Sequence, residues 1–333
     1  MSVQERLSVT PALQLRLETR RIVLVGSGDH MSRLANRIAA NPALRTEVVR
    51  IVQPGDDGGD GLALQLRPES LRREQVWGLV VAADLARRLP TPLLLQCRLN
   101  GIRVLDEASF WEREARCIDV DGAHPSWLLS GDGFRHGRCN AFLKRLFDLA
   151  IAIALILLTL PLMLVVAVLI KCESRGPVLY RQERVGRCGR VFVLLKFRSM
   201  RQDAEAGGAP VWAAKGDSRI TRVGRFIRYT RIDELPQLWN VLRGEMSLVG
   251  PRPERPYFVE RLAAAIPLYA ERHFVKPGIT GWAQVNAPYG ASFEDAREKL
   301  RYDLYYIKNR SLFFDLRILI STLRVVLFQE GAR

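Results

Sequence analysis

The chain has 333 residues, room for two ordinary domains, and sets 50 Lys and Arg against 35 Asp and Glu for a formal charge of +15. Such a surface selects polyanions: nucleic acid, anionic head groups or phosphorylated substrates. Its five cysteines (Cys97, Cys117, Cys139, Cys172, Cys188) are odd in number and form no CxxC pair, which excludes a disulfide framework or zinc ribbon and fits a reducing compartment.

Residues 1–19 contain no apolar stretch of the kind a secretory signal carries, so export is not expected. From Arg21 the chain alternates apolar runs with helical patterns. RIVLVGSG (Arg21 to Gly28) is followed by HMSRLANRIAANP, then EVVRIVQ (Glu47 to Gln53), VWGLVVAAD (Val76 to Asp84) and GIRVLDE (Gly101 to Glu107). Short β-branched runs separated by helices predict βαβ units and a mostly parallel sheet, a Rossmann-like domain over residues 20–118. Its first turn supplies Gly26 and Gly28 of a dinucleotide fingerprint, but Met31 stands at the third glycine position. No acidic residue closes the second strand, which runs through Val52 and Gln53 to Pro54. The expected reading is a tight strand-to-helix turn without a dinucleotide.

Residues 119–143 read as a linker, polar and glycine-rich in LLSGDGFRHGRCN (Leu128 to Asn140). Residues 144–171 then contain IAIALILLTLPLMLVVAVLI (Ile151 to Ile170), long enough to enter a bilayer and polar on no face. Arg135, Arg138, Lys144 and Arg145 precede it; Lys171, Arg175, Arg181, Arg184, Arg187 and Arg190 follow. Lys and Arg favour the cytoplasmic side, so basic flanks at both ends predict a helix that enters, bends and leaves by one face. Pro161 supplies the bend, lacking an N–H and crowding the turn before it. Thr159 is placed to return its hydroxyl to a freed carbonyl. An ordinary kinked span is the alternative.

Chemistry-bearing residues collect beyond this segment. In RIDELPQLWNVLRGE, Leu235, Leu238, Trp239 and Leu242 have helical spacing and Gly244 stands where a helix would stop. Asp233 and Glu234 precede that helix. Adjacent carboxylates there can divide labour, one attacking phosphorus and the other holding a metal; an acidic decoration of a helix start is the bland alternative. Arg198, Arg222, Arg225, Arg228 and Arg252, the last between Pro251 and Pro253, are candidates for gripping phosphate oxygens. Metal-binding carboxylates among phosphate-binding arginines indicate phosphoryl transfer. The closing SLFFDLRILISTLRVVLF (Ser311 to Phe328) either lies along head groups or packs as an ordinary helix.

From Lys144 onward, KRLFDLAIAI, GPVLYRQERVGRCGRVFVLLKFRSM, TRVGRFIRYTRIDELPQLWNVLRGEMSLVGPRPE and KPGITGWAQVN occur in order. This half resembles the bacterial polyprenyl-phosphate sugar phosphotransferases, or monotopic phosphoglycosyl transferases. Residues 20–118 are similar to the regulatory domain of longer members. Many of those carry a four-helix membrane bundle first; this sequence shows none, as in members from exopolysaccharide loci. The implied fold class is α/β: an N-terminal Rossmann-like domain, a proline-bent re-entrant membrane helix, and a C-terminal α+β monotopic phosphoglycosyl transferase catalytic domain over residues 172–333.

The resemblance implies that Asp233 attacks the β-phosphate of a UDP-sugar, glucose or galactose in such loci, and releases UMP. Undecaprenyl phosphate then takes the phosphosugar and starts an exopolysaccharide repeat unit. It assigns Glu234 as partner of a Mg²⁺ cofactor, and Arg228, Arg252, Lys196 and Arg198 as substrate-binding residues. It places the protein on the cytoplasmic face of the bacterial inner membrane, admits a homodimer and involves no nucleic acid. Two departures stand out: Arg231, where a small or polar residue is usual, and Ala287-Pro288-Tyr289-Gly290, where Gly-Arg is common, which bears on the sugar. A nucleic-acid binder gives no reason for the apolar segment. A membrane-attached nucleotide-sugar dehydratase would need the intact glycine fingerprint. An inactive sensing scaffold would have no use for the Asp233–Glu234 pair.

Overall fold

The computed structural model describes residues 19–41, 44–53, 60–82, 85, 89–120, 137–201, 219–287, 290 and 292–328. The N-terminal segment before Thr19, Pro54, Asp84, most of the glycine-rich linker with Arg135, the polar stretch up to Gly216, and Pro288 and Tyr289 lie outside them. The chain divides into two compact units, 1–115 and 116–333.

The first unit contains β1 (Arg20–Val25), α1 (Gly28–Ala39), β2 (Thr46–Val52), α2 (Asp60–Gln65), α3 (Pro68–Arg73), β3 (Val76–Val81), α4 (Thr91–Leu99), β4 (Arg103–Asp106) and α5 (Glu107–Phe110). The strands form a parallel sheet in the order β2-β1-β3-β4. Ile22 through Val25 are fully buried, as expected of a central strand covered on both faces. Met31, Leu34 and Ile38 put the apolar stripe of α1 into the core. A Cβ on Gly26 would meet the Met31 Cγ at 2.7 Å. The residue at the third fingerprint position therefore fills the space directly over the first turn.

The second unit begins with α6 (Arg138–Glu173), then β5 (Leu179–Val185), β6 (Val191–Phe197), α7 (Arg222–Tyr229), a 3₁₀ turn (Ile232–Glu234), α8 (Gln237–Arg243), β7 (Ser247–Val249) and α9 (Pro256–Ala265). A second 3₁₀ segment (Tyr269–Phe274), β8 (Gly278–Thr280), α10 (Trp282–Asn286), α11 (Phe293–Asn309) and α12 (Leu312–Phe328) follow. β5 and β6 make an antiparallel hairpin; β7 and β8 pair in parallel. Gly250 and Gly278 let the latter pair approach closely, since a Cβ on Gly278 would lie 2.1 Å from the Gly250 nitrogen. Mixed α/β structure, a parallel sheet and a long apolar helix agree with the expectation.

α6 is one continuous 36-residue helix with Pro161 inside it. It starts at Arg138, so the last residues read as linker are already helical. Leu157, Leu158 and Leu164 on its middle are 68%, 76% and 61% exposed, and it is the one helix long and apolar enough to cross a membrane among the described residues. The Thr159 hydroxyl donates to the Leu155 carbonyl at 2.7 Å. The expectation that it would serve the carbonyl freed by proline, that of Leu157, is therefore corrected: a helical threonine reaches back four residues from its own position.

Both ends of α6 are fastened within this unit. Near its start, Lys144 pairs with Asp148 (2.8 Å) and with Asp315 of α12 (2.9 Å), and Arg145 donates to the Val241 and Leu242 carbonyls that end α8. Near its finish, Val166 and Ile170 pack with Phe197 and Ile227. The Glu173 carboxylate accepts from the Arg222 and Val223 N–H groups, satisfying two free donors at the start of α7.

Candidate active site

The 3₁₀ turn that carries Asp233 and Glu234 is introduced by Arg231 in the left-handed conformation (φ 61°). That backbone costs a non-glycine residue about 1–2 kcal/mol. Thr230 ends α7 and Pro236 leads into α8, so the acidic pair is held between two short helices. Both carboxylates are buried, Asp233 at 7% and Glu234 at 9% exposure.

Two cations converge on Glu234. Lys196 Nζ, from β6, lies 2.9 Å from its Oε1, and Arg252 Nη2, from the loop after β7, lies 3.0 Å from the same atom. Burial opposes ionisation of Glu234, yet Arg252 and Lys196 outweigh it and hold the carboxyl well below the usual carboxylate range. Asp233 differs: burial pushes its carboxyl up, against the pull of Lys196, and Glu234 beside it adds to the rise. Arg228 and Arg252 act on Asp233 in the opposite sense, favouring its charge. Burial lowers the Lys196 ammonium, and Glu234 counters that. The outcome is a Glu234 whose charge is favoured beside a more basic Asp233, the division of labour that a pair of carboxylates needs.

Among the expected residues, the structure brings together Asp233, Glu234, Lys196, Arg228 and Arg252. Arg198 is elsewhere. β6 ends at Phe197, and the Arg198 side chain donates to the Arg175 carbonyl at 2.9 Å, the Ser174 carbonyl at 2.8 Å and the Ser174 hydroxyl at 2.9 Å. Its buried guanidinium thus binds the end of α6 rather than facing the carboxylates. Arg222 and Arg225 lie exposed on α7. Trp239, expected on an apolar face, is 50% exposed, and buried Gln237 and Asn240 take the inward positions of α8.

Asn240 is the residue that sequence reading missed. It has no exposure; its Nδ2 donates to the Val193 carbonyl and to Glu245 at 2.7 Å each, and its Oδ1 accepts from the Leu195 N–H at 3.1 Å. It therefore docks α8 onto the outer edge of β6, one residue from Lys196. The only sequence signal was an amide inside an otherwise apolar LWNVL run.

No group of three or more His, Cys, Asp or Glu suited to a metal occurs among the described residues. Mg²⁺ commonly takes one or two carboxylates and completes its shell with waters and substrate phosphates. With Glu234 Oε1 taken by two cations, its Oε2 is the donor left for a metal, and a single carboxylate fits a metal shared between protein and substrate. The departing loop after Asn286 is described only at Ala287 and Gly290, where Lys299 Nζ donates to the Gly290 carbonyl at 2.6 Å.

Comparison with known proteins matches residues 139–329 to the model of the family described as bacterial sugar transferase. The chain is 53% identical over 240 residues, 72% of its length, to the UDP-N-acetylgalactosamine-undecaprenyl-phosphate N-acetylgalactosaminephosphotransferase of Aeromonas hydrophila, covering 56% of that protein. It is 35% identical over 333 residues to the undecaprenyl-phosphate glucose phosphotransferase of Komagataeibacter xylinus, covering 97% of this chain and 62% of the relative. A third relative, the UDP-glucose:undecaprenyl-phosphate glucose-1-phosphate transferase of Xanthomonas campestris pv. campestris, is 35% identical over 334 residues, 95% of this chain and 68% of that protein. The chain thus spans less than two thirds of the first two relatives. With the family model covering residues 139–329, more than half of the chain, and the Xanthomonas likeness running through both units, the chain belongs to the bacterial sugar transferase family.

Proposed function

We propose that this protein transfers a sugar 1-phosphate from a UDP-sugar to undecaprenyl phosphate, opening an exopolysaccharide repeat unit. The observation that carries the reading is the buried Asp233 held beside a Glu234 that Lys196 and Arg252 keep ionised. An Asp233 carboxylate oxygen attacks the β-phosphorus; one P–O bond forms, the bond to the bridging oxygen breaks, and UMP leaves with that oxygen. An oxygen of undecaprenyl phosphate then attacks the same phosphorus and restores the Asp233 carboxylate. Arg228, Arg252 and Lys196 bind the phosphate oxygens and offset the charge that gathers on them. Glu234 would hold Mg²⁺, which supplies further neutralisation of the diphosphate when bound. The first unit is read as a Rossmann-like regulatory domain.

The donor is a UDP-hexose, with glucose or galactose as the first reading. UDP-N-acetylgalactosamine is the second, favoured by the 53% identity to a relative named for it. UMP release from a panel of these sugars, by protein reconstituted with undecaprenyl phosphate and Mg²⁺, tests the function. One sugar yielding UMP supports it; silence across the panel from folded, membrane-bound protein removes it.

Membrane attachment is read as re-entrant from the cytoplasmic face of the inner membrane. The support is that Lys144 and Arg145 at one end of α6, and Ile170 and Glu173 at the other, are bonded into one compact unit. A straight span would carry those ends to opposite sides of a hydrocarbon core about 30 Å thick. Exposed Cys139 and Cys172 lie one residue inside the two ends of α6 and provide the test. In variants whose single cysteine is one of these two, with Cys188 and the others replaced, an impermeant maleimide is expected to label both positions in inside-out vesicles and neither in intact spheroplasts. Labelling from opposite sides would establish a span.

A further inference from the structure

The loop that delivers Arg252 has unusual backbone chemistry. Pro251 and Pro253 flank the arginine and contribute no N–H, so the loop is held through its carbonyls. Four in succession are occupied, each by a donor from outside the loop: Pro251 by the Gly278 N–H at 2.9 Å, Arg252 by Arg272 Nη2 at 3.0 Å, Pro253 by Arg184 Nη1 at 2.9 Å, and Glu254 by the Val185 N–H at 2.9 Å. The two outer donors are backbone groups. The two inner ones are arginine side chains, and Arg272 holds the residue whose guanidinium meets Glu234.

Arg272 is 6% exposed and is itself set from two sides. Its Nη2 also donates to Asp303 Oδ2, from α11, at 2.8 Å, and its Nη1 donates to the Tyr269 hydroxyl at 2.5 Å. Asp303 and Tyr269 are 1% and 2% exposed. A planar guanidinium pinned at both ends presents its second Nη2 hydrogen in a fixed direction, which an ammonium on a flexible stem does not. A buried cation paired with a buried carboxylate is a poor device for stability alone, because desolvation offsets most of the attraction. Here the pair has a geometric product: it fixes the carbonyl of Arg252.

We propose that Arg272 is a positioning residue for Arg252, setting through the main chain where the Arg252 guanidinium meets Glu234 and the transferred phosphate. The inference deepens the phosphosugar-transfer reading and rests on it. Arg272 touches neither carboxylate of the site, so its effect passes entirely through Arg252.

The kinetic test is a double-mutant cycle in the reconstituted full chain. Arg272→Lys keeps the buried charge but loses the planar fork. It is expected to lower kcat for UMP release by about 100-fold, the scale of a misplacement near 1 Å, with KM for the donor changed far less. In an Arg252→Ala background the same substitution is expected to have almost no further effect. Tyr269→Phe, which leaves the Arg272–Asp303 pair intact, guards against loss of folding and is expected to act in the same direction more weakly, again only when Arg252 is present. An Arg272→Lys penalty of the same size with and without Arg252 would overturn the proposal. Hydrogen exchange read by mass spectrometry over residues 247–255 supplies an arm independent of turnover. Faster exchange in Arg272→Lys supports the cradle, and unchanged exchange overturns it. If the unsubstituted protein releases no UMP from any donor, the transfer reading fails while the exchange arm still decides whether Arg272 holds the loop.

Discussion

Replacing Asp233 with asparagine is expected to reduce UMP release by about 10⁴-fold or more, the scale seen when a nucleophile is removed from a site whose other parts remain. The amide keeps the shape of the carboxylate and loses only its nucleophilic charge. A sugar-phosphate adduct, detectable by intact mass when donor is supplied without undecaprenyl phosphate, should form on the unsubstituted protein and be absent from the variant. The pH dependence follows from the environment. Burial pushes Asp233 above its ordinary value of 3.8, and only the ionised form attacks, so kcat/KM should fall as pH drops through a limb lying above that value. Glu234, held low by Arg252 and Lys196, adds no second limb there. For stability the sign is opposite: a carboxyl raised in the folded state becomes less favourable as pH rises through its titration. Asp233→Asn should therefore keep or raise Tm at neutral pH while abolishing turnover. Retained activity in a folded variant would sink the covalent mechanism.

Asn240→Leu should have the largest effect on stability. Leucine fills nearly the same volume, but it leaves the Leu195 N–H and the Val193 carbonyl without the partners that Asn240 provides in the unsubstituted protein. Stranding such groups costs about 1–3 kcal/mol each, more than the added apolar contact returns, so a net loss of about 3 kcal/mol is expected in denaturant unfolding. Lys196 follows Leu195 on the same strand, so turnover of the protein that remains folded should also fall. A change below about 0.5 kcal/mol would mean that α8 is held onto β6 by its apolar contacts alone.

The two halves differ in how much of them could be read from the chain. β1 to β4 were legible because short apolar, β-branched runs are local signals, and helical stretches between them require parallel crossovers. The apolar length of α6 was legible for the same reason. Within the site, Asp233, Glu234 and Arg252 were legible by residue chemistry, and Lys196 only through the family resemblance. Arg198 was not. Lys196 and Arg198 are two apart and would share a face if the strand continued, but β6 stops at Phe197 and the next side chain turns to the carbonyls ending α6. Thr159 shows the same limit on a smaller scale, its hydroxyl taken by the nearest carbonyl in reach.

By itself, the sequence determined the parallel sheet, the greasy helix with its proline, and an acidic pair amid arginines, since each depends on residues near one another in the chain. Tertiary structure decided which charges meet. Glu234 receives Lys196 and Arg252 from 38 residues before it and 18 residues after it. Asn240 and Arg272 gained their roles only when β6 and the Arg252 loop were brought against them. Hydrogen bonds need partners within about 3 Å at defined angles. A linear pattern names the donors and acceptors, but only the packed backbone sets those distances.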